Sequence, residues 1–149
     1  MRNWEFYSAV FWIIENEKWK VLFQRRQNTW FADGLLQLPS WHIEWEELFK
    51  ESFIREMKEE LNIDIEDENI DVKHISHRIR KNSRVYFDIY LKVNNYSGKI
   101  KNNEPEKCSE LKFVNLDNYD KDDKDEMIWF DVDVIKLIKQ WRQISEIIY

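Results

Sequence analysis

Residues 38–63 read LPSWHIEWEELFKESFIREMKEELNI, and this stretch carries the strongest structural signal in the chain. From residue 47 to residue 61 it contains neither glycine nor proline, and apolar side chains recur every four positions at Phe49, Phe53, Met57 and Leu61. That spacing predicts an amphipathic helix over residues 47–61. Asn62 follows directly, at the C′ position where Gly and Asn are favoured, so we expect the helix to end there.

Three carboxylates of this helix fall close together. Glu56, Glu59 and Glu60 stand at i, i+3 and i+4, and a helical wheel places Glu60 inside the apolar arc. Like charges that close repel each other, and a glutamate among phenylalanines loses hydration, so a positive charge is expected nearby. An all-oxygen ligand set suits Mg²⁺ or Mn²⁺ rather than zinc. A solvated helix face is the alternative interpretation, and the inward position of Glu60 weighs against it.

The same stretch resembles the Nudix box, whose pattern is GX5EX7REUXEEXGU with U a bulky aliphatic residue. Trp41 takes the first glycine position, Glu47 follows at the required distance, and residues 55–63 read REMKEELNI. Every charged position matches at the right spacing, whereas both glycines of the pattern are replaced. The preceding Leu38-Pro39 and the order of elements outside the box are also similar to the family.

The resemblance implies an α/β (α+β) fold, the αβα sandwich with a mixed β-sheet. It implies Mg²⁺-dependent hydrolysis of a nucleoside diphosphate linked to another group X, and we expect a nucleoside triphosphate, as in MutT-like enzymes. By position, the resemblance implies that Glu56, Glu59 and Glu60 are metal ligands and that one of them activates water. It implies that Glu47 holds Arg55, which in turn orients the carboxylates. The backbone carbonyl of Ser40 would be a further metal ligand, and Arg26 would contact the substrate phosphate.

Further candidates lie outside the box. A distal glutamate often accepts the proton in this family, and Glu104 and Glu106 are the candidates, with a solvated loop as the alternative. Arg25 and His42 are further candidates for binding phosphate. Aromatic side chains can stack on a base, and three of them are candidates, with ordinary packing as the alternative: Trp30, Phe31 and Phe87.

Tryptophan stands where the family pattern has glycine. If the turn at Trp41 needs a positive φ, the residue there is strained by roughly 1–3 kcal/mol. Trp19 and Trp30 also fall in apparent turns, and the chain holds two glycines against eight tryptophans. Either the loop adapts and the chemistry is retained, or Trp41 crowds the metal entrance and leaves a fold that binds nucleotides without cleaving them.

The rest of the chain predicts one α/β domain over residues 1–149. Residues 4–14 and 19–23 are predicted to pair as a β-hairpin. Further strands are expected at 35–38, 70–75, 84–93 and 111–116. In the third of these, apolar side chains occupy every second position from Val85 to Val93, which predicts that one face of the strand is buried. Residues 117–126 are expected to form a surface loop and residues 131–145 a closing helix, with Asp131 and Asp133 suiting its N-terminus.

Composition excludes several classes of function. The net charge is −6, which argues against binding to duplex nucleic acid or an anionic membrane. No apolar run is long enough to span a bilayer, and Glu5 and Glu15 interrupt the N-terminal apolar stretch, so no signal peptide is expected. A single cysteine, Cys108, excludes an internal disulfide and a multi-cysteine zinc site, and it indicates a cytoplasmic protein with an inert buried thiol. A monomer or a homodimer is expected.

Three functions remain open at this point. The first is the MutT-like pyrophosphohydrolase, and the second is a catalytically impaired nucleotide-binding or interaction module on the same fold. The third, an isomerase acting on a diphosphate, is disfavoured because only one cysteine is present. His74 and His77 are weak zinc candidates because no third ligand stands near them in the sequence.

Overall fold

A computed structural model describes residues 6–44, 46–81, 84–117 and 126–148. Its two helices are α1 (Phe49–Leu61) and α2 (Trp129–Lys139), and a short 3₁₀ turn covers Asp67–Asn69. The ten strands are β1 (Phe6–Ile14), β2 (Val21–Arg26), β3 (Leu36–Gln37), β4 (Ser40–His42), β5 (Ile63–Asp64), β6 (Ile70–Ile79), β7 (Val85–Val93), β8 (Ser97–Gly98), β9 (Cys108–Val114) and β10 (Ile144–Ile148).

The strands form one mixed sheet and two smaller antiparallel sheets. The large sheet has the order β10-β6-β7-β1-β4, in which β1 runs parallel to β7 and β10 runs parallel to β6. A second sheet has the order β3-β2-β9, and β5 pairs with β8. This arrangement confirms the predicted α+β architecture with a mixed sheet.

Strand β1 is buried on both faces, which explains its unbroken apolar sequence. Phe11 belongs to the core cluster that includes Phe130 of α2, whereas its neighbour Trp12 belongs to the cluster that includes Phe53 of α1. Because successive strand residues point to opposite faces, the two helices cover opposite sides of the sheet. Neither helix in the described part of the chain has the length and apolar composition needed to cross a bilayer.

The predicted hairpin of β1 and β2 is wrong beyond its turn. The turn itself is present, and the Asn16 side chain accepts hydrogen bonds from the backbone N–H groups of Lys18 and Lys20. Only Glu15 and Val21 form an antiparallel bridge, after which β1 and β2 enter different sheets. The two edges of β1 are occupied by β7 and β4, so no edge remains for β2.

The single buried face predicted for β7 is also wrong. Leu91 and Val93 are buried as expected, but Phe87 on the same face is 41% exposed. Tyr86, Asp88 and Tyr90 on the opposite face are buried. Helix α1 covers only the end of this strand that carries Leu91, and the cluster that includes Phe130 covers Tyr90 on the other face.

The closing helix is shorter than predicted. Helix α2 ends at Lys139, where Trp141 adopts a left-handed backbone (φ 60°) and Arg142 donates its N–H to the carbonyl of Leu137. Residues Ile144–Ile148 then form β10, which pairs with β6. Their β-branched side chains favour a strand. Most of the predicted acidic loop, residues 118–125, lies outside the described residues.

The side chain of Asp131 connects the first turn of α2 to Leu38, which follows β3. It is fully buried, and its Oδ2 accepts the backbone N–H of Leu38 at 2.9 Å. Its Oδ1 has no partner among the described atoms. Burial is the main reason why the pKa of Asp131 is raised, to about 8.

The raised pKa predicts a specific pH dependence of stability. An acid whose pKa is higher in the folded state binds more protons there, so its contribution to stability is full below the unfolded pKa, near 4, and is lost as the pH rises toward 8. We expect Asp131→Asn, which keeps an acceptor for Leu38, to remove this loss. The free energy of unfolding of the two proteins, measured by urea titration at pH 5 and pH 8, should diverge by a few kcal/mol at the higher pH. Parallel pH profiles would contradict this assignment.

Candidate active site

A cleft of about 400 Å³ opens beside the C-terminal end of α1. Strand β4 forms one wall, because its pairing with β1 places Ser40 beside Phe11 and His42 beside Ala9. Strands β2 and β9 form the opposite wall. The cleft carries acidic, basic and aromatic side chains, among them Glu60 and Glu104, Arg26, Arg80, Arg84 and Lys107, and Phe11, Phe31, Trp41, Tyr86 and Phe130.

Two carboxylates, those of Glu60 and Glu104, line the cleft. The pKa of Glu60 is raised to about 8, mainly by burial and then by the negative charges of Glu104 and Glu56. Glu104 binds Lys107 at 2.9 Å. Of the two candidate distal glutamates, Glu104 lines the cleft together with Glu60. Glu106 is exposed and does not line the cleft, and its backbone carbonyl accepts a hydrogen bond from Asn28.

Arg55 joins the other carboxylates of the box. Its Nε donates to Glu47 at 2.9 Å, and its Nη1 contacts Glu56 and, at 3.1 Å, Glu59. Glu56 is only 3% exposed, and burial raises its pKa even against the opposing effect of Arg55. Glu59 is exposed at the rim. Glu47 thus contacts Arg55 as the resemblance implies, and Arg55 supplies the positive charge that two of the three predicted ligands need.

The convergence of Glu56, Glu59 and Glu60 is only partial in this arrangement. Across residues 6–44, 46–81, 84–117 and 126–148, no three His, Cys, Asp or Glu side chains are grouped closely enough to hold a metal ion. The donor chemistry nevertheless fits a divalent cation, because these ligands are carboxylate oxygens. Desolvation and the neighbouring negative charges raise the pKa of Glu60, and a bound cation would act in the opposite direction.

The two candidate arginines of β2 have different surroundings. Arg26 lines the cleft, where its Nε donates to the carbonyl of Phe31 at 2.7 Å. Arg25 does not line the cleft, and its guanidinium instead binds Glu110 and Glu126 at 2.8 and 2.9 Å. The structure therefore does not bring Arg25 together with the other predicted substrate-binding residues, Arg26 and His42.

Trp41 does not carry the predicted backbone strain. It lies in β4 opposite Val10 and is not among the described residues with positive φ, whereas Glu46, five residues further on, has φ 67°. Its indole lines the cleft, has no partner for its buried N–H among the described atoms, and lies 6.0 Å from the Arg55 guanidinium. The consequence of this tryptophan is therefore steric, because its side chain takes up space beside the carboxylates.

The remaining candidate residues lie in different parts of the structure. His42 and Phe31 line the cleft, and burial lowers the pKa of His42, which favours its neutral form. Trp30 is fully exposed, and Phe87 lies on the outer face of the sheet against His77. His74 is buried and bonds Ser145, so it anchors β10.

Cys108 is buried beside the cleft, and burial raises the pKa of its thiol. A protonated thiol is a poor nucleophile, which argues against the isomerase hypothesis.

Sequence reasoning missed the basic end of the cleft. Arg78, Arg80 and Arg84 line it, around the connection between β6 and β7. Arg78 pairs with the buried Asp88 at 2.6 Å and lies 4.2 Å from the Tyr86 ring. The sequence indicates these residues only by the pattern Arg-Ile-Arg at residues 78–80, with Arg84 shortly after. Only the fold shows that they line the same cleft as the carboxylates.

Comparisons with known proteins agree with this architecture. A model of the NUDIX domain matches residues 6–145. Among solved structures, a MutT protein from Methanosarcina mazei Go1 has a TM-score of 0.76 at 19% identity, covering 94% of this chain and 97% of that one. The E. coli ORF135 protein has a TM-score of 0.73 at 18% identity, covering 93% and 92%.

A MutT NUDIX hydrolase from Burkholderia pseudomallei has a TM-score of 0.67 at 21% identity, covering 76% of this chain and 85% of that one. At these identities the structural likeness shows the fold alone. No curated protein matches the chain.

Proposed function

Because the chain belongs to the Nudix hydrolase family, we propose that it is a Mg²⁺-dependent pyrophosphohydrolase that cleaves a nucleoside triphosphate. The observation that carries the proposal is that Glu60 and Glu104, whose charges interact, line the same cleft as Arg26, Arg80 and Arg84. Such a cleft brings carboxylates that can hold a cation and arginines that can bind phosphate to the same substrate. A cytoplasmic location and action of residues 1–149 as one domain belong to the same proposal, and the free thiol of Cys108 supports the location.

The residues proposed to hold Mg²⁺, or Mn²⁺ in its place, are Glu56, Glu59, Glu60 and Glu104 with the backbone carbonyl of Ser40. When bound, the cation supplies neutralisation of the phosphate charge and a lowered pKa of water.

Each protein group then has a separate task. Arg26 places its guanidinium in the cleft, where it can pair with a phosphate oxygen. Arg55 holds Glu56 and Glu59 in position through its contacts with both. Glu60 or Glu104 accepts the proton of the attacking water, the water oxygen bonds to phosphorus, and the leaving phosphate departs with the electrons of the broken P–O bond.

The test is hydrolysis of a panel of nucleoside triphosphates, ADP-ribose, dinucleoside polyphosphates and nucleotide sugars, with and without Mg²⁺. Release of phosphate or pyrophosphate that depends on Mg²⁺ supports the proposal. Folded protein that hydrolyses no compound of the panel contradicts it. A second candidate, nucleotide binding without cleavage, is favoured by the position of Trp41 in the cleft. Calorimetric binding of a nucleotide that is not hydrolysed would identify that case.

Arg26 and Arg25 provide a matched pair of variants. We expect Arg26→Gln to raise KM about 10- to 100-fold, because a charge-assisted hydrogen bond to phosphate is lost. Arg25→Gln should leave KM unchanged and cost less than about 1 kcal/mol of stability, because its two ion pairs lie near the surface. Steady-state kinetics on both variants make the comparison, and an equal rise of KM in both would remove Arg26 from the substrate site.

A further inference from the structure

Gln24 presents a free amide to the cleft. It lies in β2, opposite Gln37 on one side and Leu111 on the other, and all three line the cleft. The amide of Gln37 is held on both sides, donating to Ser40 at 3.1 Å and accepting from Arg26. The Gln24 side chain, in contrast, makes no hydrogen bond with any described residue. Of these two amides, only Gln24 can pair with a bound molecule without losing an existing contact.

We propose that the Gln24 amide forms hydrogen bonds with the edge of the nucleobase, an assignment that rests on the proposed function. Phe31, which is 42% exposed, gives the cleft flat apolar surface suited to an aromatic ring. An amide offers a donor and an acceptor side by side, which matches the paired donor and acceptor on the edge of a base. A phosphate offers acceptors only and is served by the arginines. Gln24 therefore determines which base is preferred, separately from the chemistry.

The experiment measures binding rather than turnover. Non-hydrolysable triphosphates of adenosine, guanosine, cytidine and uridine are titrated calorimetrically into wild-type protein, Gln24→Leu and Gln24→Glu. We expect the wild type to prefer one base by about tenfold or more, Gln24→Leu to lose that preference, and Gln24→Glu to favour a different base. Gln27→Leu is the matched control, because the Gln27 amide bonds the carbonyl of Pro105 outside the cleft.

Equal base preference in wild type and Gln24→Leu would overturn the assignment, as would equal binding of all four bases by the wild type or binding of none. Gln24→Glu, which keeps the shape of the side chain, covers the case in which Gln24→Leu does not fold. Base-selective binding that depends on Gln24, without hydrolysis in Mg²⁺, would support this assignment and contradict the proposed function.

Three tryptophans occupy a backbone conformation that suits glycine. Trp19, Trp30 and Trp141 have φ of 58°, 66° and 60°. Their exposed fractions are 77%, 102% and 91%, so their indoles gain almost no packing in return. Left-handed backbone is costly for a residue with a Cβ and is adopted freely by glycine. Of the described non-glycine residues with positive φ, tryptophan is the commonest type.

A fourth tryptophan lies beside the proposed catalytic groups. Trp41 fills space in the cleft with an indole N–H that has no described partner. The chain as a whole has eight tryptophans and two glycines, where about ten glycines are usual for this length. Replacement of glycine by tryptophan at several positions accounts for the positive φ values, the exposed indoles and the low glycine content together.

We infer that the protein in its own organism carries glycine at positions 19, 30, 41 and 141, because one of two codons read here as tryptophan is decoded there as glycine. Genetic codes differ in the meaning of individual codons, and one such difference would change together all positions that use that codon, while core tryptophans such as Trp12 use the other codon and are unchanged. Glycine at position 41 would also open the cleft beside Glu60.

Peptide mass spectrometry of the protein isolated from its organism tests the inference directly. Glycine at the four positions supports it, and tryptophan at them overturns it. Recombinant proteins give a second readout: Trp19→Gly, Trp30→Gly and Trp141→Gly should each raise Tm by a few degrees, and by more than the matched alanine variants, because alanine keeps the Cβ. Glycine variants no more stable than the alanine variants would contradict the conformational basis of the inference.

Discussion

Glu60→Gln is expected to lower kcat by about 10²- to 10⁴-fold while leaving the fold intact. Glutamine keeps the size of the side chain but neither accepts a proton nor brings a negative charge to a cation. Because burial and Glu104 already disfavour the charged form of Glu60, its removal should not lower the free energy of unfolding. Steady-state hydrolysis of the best substrate of the panel, together with urea unfolding, measures both effects.

Glu51→Gln is the control for this substitution. Glu51 lies on the same helix, is exposed and does not line the cleft. We expect it to retain wild-type kcat, so that any general effect of changing the helix charge is measured separately. Wild-type kcat in Glu60→Gln would exclude Glu60 from the reaction and with it the roles proposed for the cleft carboxylates.

Arg55→Met is expected to lower the free energy of unfolding by about 3 kcal/mol, because it leaves the buried Glu56 without its cation. Glu56 and the neighbouring Glu59 would then repel each other across one turn of α1. Arg55→Lys should have an intermediate effect, since a lysine provides a point charge but not the planar fork that reaches Glu47 and Glu56 together. We expect kcat to fall in both variants because the carboxylates lose their alignment.

Lys58→Met is the comparison for Arg55→Met. Lys58 also forms an ion pair, with Asp64 at 2.7 Å, but both side chains are more than half exposed. Its loss should therefore cost less than about 1 kcal/mol. Denaturant unfolding of the two methionine variants makes the comparison, and equal stabilities would show that Arg55 is not required to compensate a buried charge.

The extent of prediction from sequence follows how local each interaction is. Helix α1 and its end at Asn62 were predictable, because the four-residue repeat of apolar side chains and the left-handed cap (φ 58°) depend on neighbours within one or two turns. The contact of Glu47 with Arg55 was predictable only through the family resemblance. The exposed Phe87 was not, because the covering of a strand by a helix depends on where the helix ends.

The sequence by itself therefore determined the helix with its charged residues and the class of fold. Both depend on the periodicity and spacing of residues that are close together in the chain. Tertiary structure alone decided that Arg26 lines the cleft and Arg25 does not, that Glu104 and Glu60 line the same cleft, and that residues 144–148 form a strand beside β6. These outcomes depend on which strands pair and in what register, and strand pairing joins residues far apart in the chain. Composition and spacing carry no information about that choice.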